Sequence, residues 1–298
     1  MEKAVDGFYH EVVVVCNGNY SKKNYEVAKE YGFTVLRMEA ASKRKAIAFA
    51  MEGREYKECT VILDSDTIVD QGTIERTLET MGKDYSIGGI TPRHTIYDPN
   101  RNIIRRISAW MEDERFTVTL RATNGAISCL PGRFLAIRTC LLERYMKDFV
   151  SQKFLGIPCE TGDDRYLTQR LVRDGYRTIY QDTFSVQTNA PDTISGFVKQ
   201  RTRWSRSSIR ETILSIPYMW KYPMTFFVIV SNVVSRWLFF AVVILFILNP
   251  KGIGTEYNIL IGVSLFFLAH AIRQIPHLWR FPKDLAILPA YAIISSIS

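Results

Sequence analysis

The chain has 298 residues, and its 38 Lys and Arg exceed its 30 Asp and Glu to give a formal net charge of +8. This length is enough for one sizeable domain with an appendage. The positive charge fits an anionic partner such as a diphosphate, an acidic glycan or a lipid surface, and the positive-inside bias of membrane proteins explains it equally well. The five cysteines are scattered without a C-x-x-C pair, which argues against a disulfide framework or a zinc site.

Strand and helix patterns alternate through the first half of the chain, which predicts an α/β fold with a mostly parallel sheet. The first apolar run, at residues 12–16, is too short for a secretory signal and indicates a buried strand. We expect Asp70 to be the N-cap of the third predicted helix. In chain order, strands are predicted at residues 11–16, 33–37, 59–63 and 86–91, and helices at 22–31, 43–51 and 71–81.

Charged residues are concentrated before Pro223, and the rest of the chain is largely apolar. Apolar runs at residues 223–248, at 259–272 and from 285 onward predict about three membrane helices. The basic stretch between the second and third runs would lie on the same side as the domain, which places the domain in the cytosol. Arg236 in the first run would face a protein interior or wet path, or would mark a break in the span.

Asp64 and Asp66 follow directly on the strand predicted at residues 59–63. Side chains two apart on a strand point the same way, so we expect both carboxylates to project into the crevice beyond the sheet. Two hard oxygen ligands suit Mg²⁺ or Mn²⁺ bridging a substrate diphosphate. A solvated turn is the alternative. A phosphohydrolase D-x-D-x-T motif is a rival that Ile68, in the place of the threonine, weakens.

Asp163 and Asp164 stand in the first turn of a predicted helix that carries Leu167, Leu171 and Val172 on one face and ends at Gly175. Favourable interaction with the helix dipole would by itself account for the two acids. One of them is also a natural candidate for the carboxylate that takes a proton from an attacking hydroxyl.

Two basic segments complete the candidate residues. Residues 200–206 set Trp204 among arginines, which suits a sugar beside a pyrophosphate or, alternatively, a basic helix lying on anionic lipid headgroups. Residues 43–45 are all basic and would bind phosphate or begin a solvated helix.

The order D-x-D, G-D-D and Q-x-x-R-W, followed by apolar runs, resembles the processive family-2 glycosyltransferases, which include hyaluronan, chitin and cellulose synthases. Residues 154–156, 162–165, 167–168 and 200–205 look most similar to hyaluronan synthases. The likeness runs from about residue 11 to 222 and more loosely to the end. A lipid-linked sugar transferase of the same fold would not normally carry Q-x-x-R-W, which counts against that alternative.

The resemblance implies a role for each matching residue. Asn17 would lie near the uracil, where the family usually has an aspartate, with Lys43 and Arg44 near the nucleotide. Residues 128–138 resemble the acceptor-side segment, although Leu-Pro-Gly-Arg departs from the glycine pair of hyaluronan synthases. The remaining implied roles are ribose and metal for Asp64, metal for Asp66, acceptor side for Cys129 and Gly132, general base for Asp164 with Asp163 beside it, and diphosphate and acceptor binding for Gln200, Arg203 and Trp204.

The resemblance further implies a GT-A-type domain over residues 1–193, an amphipathic interface segment at 194–222 and a membrane region at 223–298. Its activity would be transfer from a UDP-sugar, UDP-GlcNAc or UDP-GlcA, to a growing glycan, using Mg²⁺ or Mn²⁺ in a multi-pass protein of the cell membrane. A nucleic-acid partner is not expected. A chitin-type or other β-glycan synthase, or a non-catalytic subunit, is the alternative. Because the family's first strand would precede this chain, we expect a fragment or a second polypeptide that completes the fold.

Overall fold

The computed structural model describes residues 11–19, 22–54, 57–232 and 274–297, together with positions 244, 264, 268, 271 and 272. Strands and helices alternate in the first half, as the sequence predicts. The strands are β1 (Val13–Asn17), β2 (Thr34–Met38), β3 (Cys59–Leu63), β4 (Thr67–Val69), β5 (Ile87–Ile96), β6 (Phe134–Arg138), β7 (Lys153–Phe154), β8 (Ile157–Pro158) and β9 (Arg177–Thr188).

The described ranges contain nine α-helices with defined ends. They are α1 (Lys22–Glu30), α2 (Lys43–Met51), α3 (Thr73–Lys83), α4 (Ile103–Glu114), α5 (Thr139–Ser151), α6 (Asp163–Arg173), α7 (Ile194–Met219), α8 (Ile275–Arg280) and α9 (Leu288–Ile297). A π-helical turn, Arg115–Leu120, continues α4, a 3₁₀ helix, Pro282–Ile287, precedes α9, and residues 223–232 are helical.

The main sheet has the strand order β3-β6-β5-β9-β4, and β1 and β2 form a separate parallel pair. Within the main sheet β5 and β9 run parallel, whereas β3–β6, β5–β6 and β4–β9 are antiparallel. The sheet is therefore mixed. The strands that supply most of the antiparallel pairings, β6 and β9, lie beyond the strands that the sequence predicts.

The central strand β6 is buried along its whole length and separates two layers of the core. Its side chains alternate between the two faces, as strand geometry requires. Leu135 and Ile137 pack with residues of α5 and α6, whereas Phe134 and Ala136 pack with residues of α3. The sheet is thus covered by helices on both faces, and its strand ends are the part of it left open for a site.

Local signals set where the helices begin. The helix predicted at residues 43–51 is confirmed, and the Ser42 hydroxyl accepts from the Lys45 amide at its start. The N-cap prediction for Asp70 is wrong: α3 begins two residues later than expected, after Gly72 in the left-handed conformation (φ 77°). The Asp70 carboxylate instead accepts a hydrogen bond from the Ser185 hydroxyl on β9.

The segment that contains α8 and α9 packs against α4 through Trp110. The indole is fully buried and stacks on His277 and Tyr291, with ring centroids 4.6 and 4.1 Å apart. Its Nε1 donates to Gln274 Oε1 at 2.6 Å. Both His277 ring nitrogens lie 2.8 Å from a carboxylate oxygen, one of Asp113 and one of Asp284.

In the ranges that the structure describes, no helix has both the length and the apolar character needed to cross a bilayer. Arg236 and most of the apolar runs at residues 223–248 and 259–272 lie outside the described residues. The third run, from residue 285, forms the end of the 3₁₀ helix and the 10-residue α9.

Replacing Trp110 by alanine should destabilise the protein by about 3–5 kcal/mol, because it removes a buried indole on which two rings stack. Thermal unfolding of the full chain measures the loss. Trp279→Ala is the matched control, since this tryptophan lies on the same C-terminal segment but is 87% exposed, and its removal should change stability by about 0.5 kcal/mol or less. Equal losses in the two variants would contradict the packing described for α4.

Candidate active site

Lys43, the first residue of α2, joins three separate segments at one end of the sheet. Its ammonium contacts the Asp64 carboxylate after β3, lies 3.1 Å from Asp163 Oδ2 on α6, and donates to the Gly132 carbonyl at 3.2 Å. Burial disfavours the charge on this ammonium, but Asp163 and Asp64 outweigh it and raise the pKa of Lys43 above its ordinary value. Lys43 is therefore a fixed cation between two carboxylates.

Asp163 and Asp164 begin α6, as the sequence predicts, after Gly162 in the left-handed conformation (φ 80°). The buried face of α6 contains Leu167, Leu171 and Val172, which confirms the predicted helical face. Burial and the neighbouring Asp164 raise the pKa of the Asp163 carboxyl, and Lys43 opposes them. The two acids thus have different partners: Lys43 binds Asp163, and backbone amides bind Asp164.

The Asp164 carboxylate is held from two sides. Its Oδ2 accepts from the Gly132 amide at 3.1 Å and lies 3.8 Å from the Cys129 thiol, and its Oδ1 accepts from the Arg165 amide at 2.8 Å. A Cβ at position 132 would lie 3.0 Å from Asp164 Cβ and 3.3 Å from Lys43 Nζ. Glycine at this position therefore permits the close approach of the loop to both side chains.

The Asp64-Ser65-Asp66 segment is a turn rather than an extension of the strand. β3 ends at Leu63, and the Thr67 amide donates to the Asp64 carbonyl at 3.1 Å to close the turn. The expectation that strand alternation aligns the two carboxylates is therefore wrong. Asp64 is half-buried against Lys43, whereas Asp66 is exposed and has no hydrogen bond or ion pair to any residue that the structure describes.

Arg44 and Asn17 occupy different environments. Arg44 is 2% exposed and donates to the carbonyls of Phe149, Thr161 and Gly162 at 2.8, 3.3 and 3.3 Å. This placement does not fit a direct contact of Arg44 with the nucleotide, near which the resemblance places it, because the guanidinium is turned into the core, where it supports the start of α6. Asn17 ends β1, and the next residue, Gly18, packs closely on Ala41 just before α2. Asn17 therefore lies at the end of the β1–β2 pair that is nearest to Lys43.

Three arginines surround Glu112 behind the Asp164 loop, and the sequence reasoning missed this group. Arg133 Nη2 lies 2.5 Å from Glu112 Oε1, and the charges of Arg115 and Arg201 also act on Glu112. Burial opposes ionisation of Glu112, but Arg133 and Arg115 outweigh it and lower the pKa of Glu112 to about 2. We call Arg115, Arg133 and Arg201 the arginine cluster. Its members come from three separate segments: Arg133 lies in the 128–138 segment and Arg201 in the 200–206 segment singled out from the sequence, whereas Arg115 lies in neither.

Trp204 on α7 lies beside the arginine cluster. The guanidinium carbons of Arg133 and Arg201 lie 5.2 and 4.8 Å from its ring centroid. Gln200 is partly buried and Arg203 is exposed, and neither side chain makes a hydrogen bond or ion pair in the part of the chain that the structure describes.

The contacts bring together eight of the residues that the sequence singles out, including Arg44 behind the start of α6. Contacts join Lys43, Asp64, Asp163, Gly132, Asp164 and Cys129, and Trp204 is connected to them through Arg133, the residue that follows Gly132 and contacts its ring. Burial raises the pKa of the Cys129 thiol, and Asp164 adds to the effect, which keeps the thiol protonated and able to donate. Direct contacts do not join Asn17, Asp66, Gln200 or Arg203 to these residues within the described ranges.

The fold is of the GT-A type. The structure matches that of the mannosyltransferase PcManGT from Pyrobaculum calidifontis with a TM-score of 0.65 and 16% identity, over 96% of this chain and 76% of that one, which shows a GT-A-like α/β fold. The family model described as glycosyltransferase like family 2 matches residues 5–207, and the chain belongs to this family.

Curated relatives include hyaluronan synthases. Human hyaluronan synthase 3 is 28% identical over 74% of this chain, and the hyaluronan synthase of Streptococcus pyogenes is 26% identical over 85%. The resemblance seen in the sequence is thereby confirmed. The matched regions cover 41% and 60% of these two relatives, so the chain spans about half the length of the relatives it matches.

Replacing Glu112 by glutamine should lower the free energy of unfolding at pH 7 by about 3 kcal/mol and flatten its acid dependence. The pKa of Glu112 falls from its ordinary 4.5 to about 2 on folding, so its contribution is complete above pH 4.5 and is lost as the pH falls towards 2. Urea unfolding between pH 7 and pH 3 measures both effects.

Glu79→Gln is the matched control for this prediction, because Glu79 is an exposed surface residue paired with Lys83 on the same helix. With this control, the free energy of unfolding should depend on pH nearly as it does in the unmodified chain. A Glu112→Gln profile that runs parallel to the unmodified profile throughout this range would contradict the assigned role of the arginine cluster.

Proposed function

We propose that this chain transfers a sugar from a UDP-sugar to the end of a growing polysaccharide, with inversion, as a processive enzyme of the hyaluronan-synthase type. The observation that carries this proposal is the contact network of Lys43, which gathers Asp64 and Asp163 beside Asp164. Family membership supplies the class of reaction, and the network supplies residues suited to each step. UDP-GlcNAc and UDP-GlcA are the donors that the likeness to hyaluronan synthases favours.

The donor would bind at the end of β1 and β3. Asn17 and Asp64 would face the nucleoside, and Lys43 would lie next to its diphosphate as a positive charge held in place by Asp64 and Asp163. PcManGT was solved with GDP-mannose and Mn²⁺, so the same fold accommodates a nucleotide sugar and a divalent metal in that protein.

Asp64 and Asp66 are the residues that would hold Mg²⁺ or Mn²⁺. Among the described residues, no group of three or more potential ligands is preassembled. Two carboxylates completed by phosphate oxygens and water are nevertheless a common arrangement for Mg²⁺, and the exposed Asp66 carboxylate is available for it. When bound, the metal would neutralise charge on the diphosphate.

Asp164 is better suited than Asp163 to act as the general base. The Lys43 ammonium lies against Asp163, whereas Asp164 is held by backbone amides and the Cys129 thiol. Asp164 would take the proton from the acceptor hydroxyl as that oxygen attacks the anomeric carbon. The bond from this carbon to the phosphate oxygen breaks, UDP leaves with the electron pair, and Lys43 and Arg203 stabilise its charge.

The acceptor and the bilayer would lie beyond α7. Gln200 and Trp204 would contact the acceptor glycan, with Cys129 and Gly132 below them. The later part of α7 exposes apolar side chains, which fits a segment lying at a lipid surface ahead of membrane helices in residues 223–298. In this proposal residues 1–193 form the cytosolic domain of a cell-membrane protein and 194–222 its interface. A second polypeptide that completes the fold stays a prediction.

Substitution of the proposed base tests this function. We expect membranes that carry the full reading frame and Asp164→Asn to incorporate labelled UDP-sugar about 10²–10⁴-fold more slowly than unmodified membranes, because proton removal is lost. Asp66→Asn should reduce incorporation as well, and added Mn²⁺ should not fully restore it.

The matched control is Asp182→Asn, which alters an exposed aspartate paired with Arg121 on the surface. It should incorporate sugar at the unmodified rate. Polymer formation at that rate by Asp164→Asn or Asp66→Asn would refute the role of that residue. An unmodified rate in both variants would favour a non-catalytic subunit.

A further inference from the structure

Arg201 is partly buried, and its guanidinium makes no hydrogen bond to any residue that the structure describes. Its Nε is inaccessible to solvent and lacks a partner within these ranges. Its guanidinium carbon lies over the rings of Phe197 and Trp204, 4.9 and 4.8 Å from their centroids. Ring contacts do not satisfy the in-plane donors of a guanidinium, so these donors are available to a ligand.

Charge is unbalanced around Arg201. The arginine cluster contributes three positive charges, which Glu112 and, on the side of Arg115, Asp164 offset in part. Burial, together with the charges of Arg133 and Arg115, lowers the pKa of Arg201 to about 10 although Glu112 opposes this change. Arg133 Nη1 is also buried without a partner in the described part. Buried cations with unused donors are costly unless an anion joins them.

The arginine cluster lies one side chain away from the proposed base. Arg115 begins the π-helical turn that follows α4, and such turns are frequent at functional sites. Its Nη2 lies 3.4 Å from the Cys129 carbonyl and 3.5 Å from the Cys129 thiol, and that thiol contacts Asp164. Arg133 directly follows Gly132, whose amide binds Asp164.

We propose that Arg115, Arg133 and Arg201 form an oxyanion subsite for the bound substrate, between Asp164 and the Trp204 ring. This inference rests on the proposed function, since the anion is carried by a substrate of that reaction. A guanidinium presents paired donors that match a phosphate or a carboxylate. Two guanidiniums beside the Trp204 indole also make this surface cationic, which favours a charged ligand over a neutral sugar there.

Two parts of the substrate carry this chemistry: the diphosphate of the nucleotide and a carboxylate on an acidic acceptor sugar. Calorimetric titration of the purified full chain with UDP and, separately, with the methyl glycoside of glucuronic acid distinguishes them. We expect Arg201→Gln to weaken binding of one of these probes about tenfold or more, because a hydrogen bond to a charged group is lost. The probe that is affected identifies the source of the anion.

Arg121→Gln is the matched control, since Arg121 is 58% exposed and pairs with Asp182. It removes the same charge and should leave both affinities unchanged. Arg201→Lys keeps the charge without the paired donors, and it should also weaken the affected probe while retaining the thermal unfolding temperature. The subsite is refuted if neither probe binds the unmodified chain, or if Arg201→Gln and Arg121→Gln bind both probes equally.

Binding is measured here without turnover, so the two proposals can fail separately. If a probe binds the unmodified chain through Arg201 and the Asp164→Asn variant incorporates sugar at the normal rate, the subsite is supported and the role of Asp164 as base is refuted. Loss of incorporation in Asp164→Asn with unchanged probe binding in Arg201→Gln would retain the base and refute the subsite.

Discussion

The site depends on the ammonium of Lys43 lying between carboxylates from two distant segments. Without this cation, Asp64 and Asp163 would add their repulsion to that already present between Asp163 and Asp164, and burial would penalise each charge further. Lys43 also binds the Gly132 carbonyl, so it positions the loop whose amide holds Asp164. One side chain thus joins the end of β3, the start of α6 and the loop before β6, and the proposed donor and base sites share one support.

A second network behind the first has the opposite charge. The arginine cluster surrounds Glu112, and neighbouring Asp113 on the same helix binds His277 and Arg280 from the C-terminal segment. The adjacent acids on α4 therefore have different partners: Glu112 lies with the arginine cluster beside Trp204, and Asp113 binds residues of α8. This arrangement ties residues 274–297 to the domain through α4, which continues into the π-helical turn that positions Arg115.

Local sequence patterns predicted the elements that carry the site, whereas long-range pairing decided what the site contains. The apolar run of β3, the cap before α2 and the buried face of α6 are all readable over a few residues. The positions of β6 and β9 within a mixed sheet depend on pairings between distant segments, which periodicity does not encode. For the same reason the sequence indicated neither the inward turn of Arg44 nor the meeting of Glu112 with Arg133 and Arg201.

A double-mutant cycle on Lys43 and Asp163 tests the central contact most directly. Urea unfolding of the full chain would be measured for Lys43→Met, Asp163→Asn and the double variant. If Lys43 holds Asp163 in a partly buried pair, the two substitutions should be non-additive, with a coupling free energy of about 1 kcal/mol. Additive losses would show that the ammonium does not stabilise the gathered carboxylates, and this would contradict the account of the site.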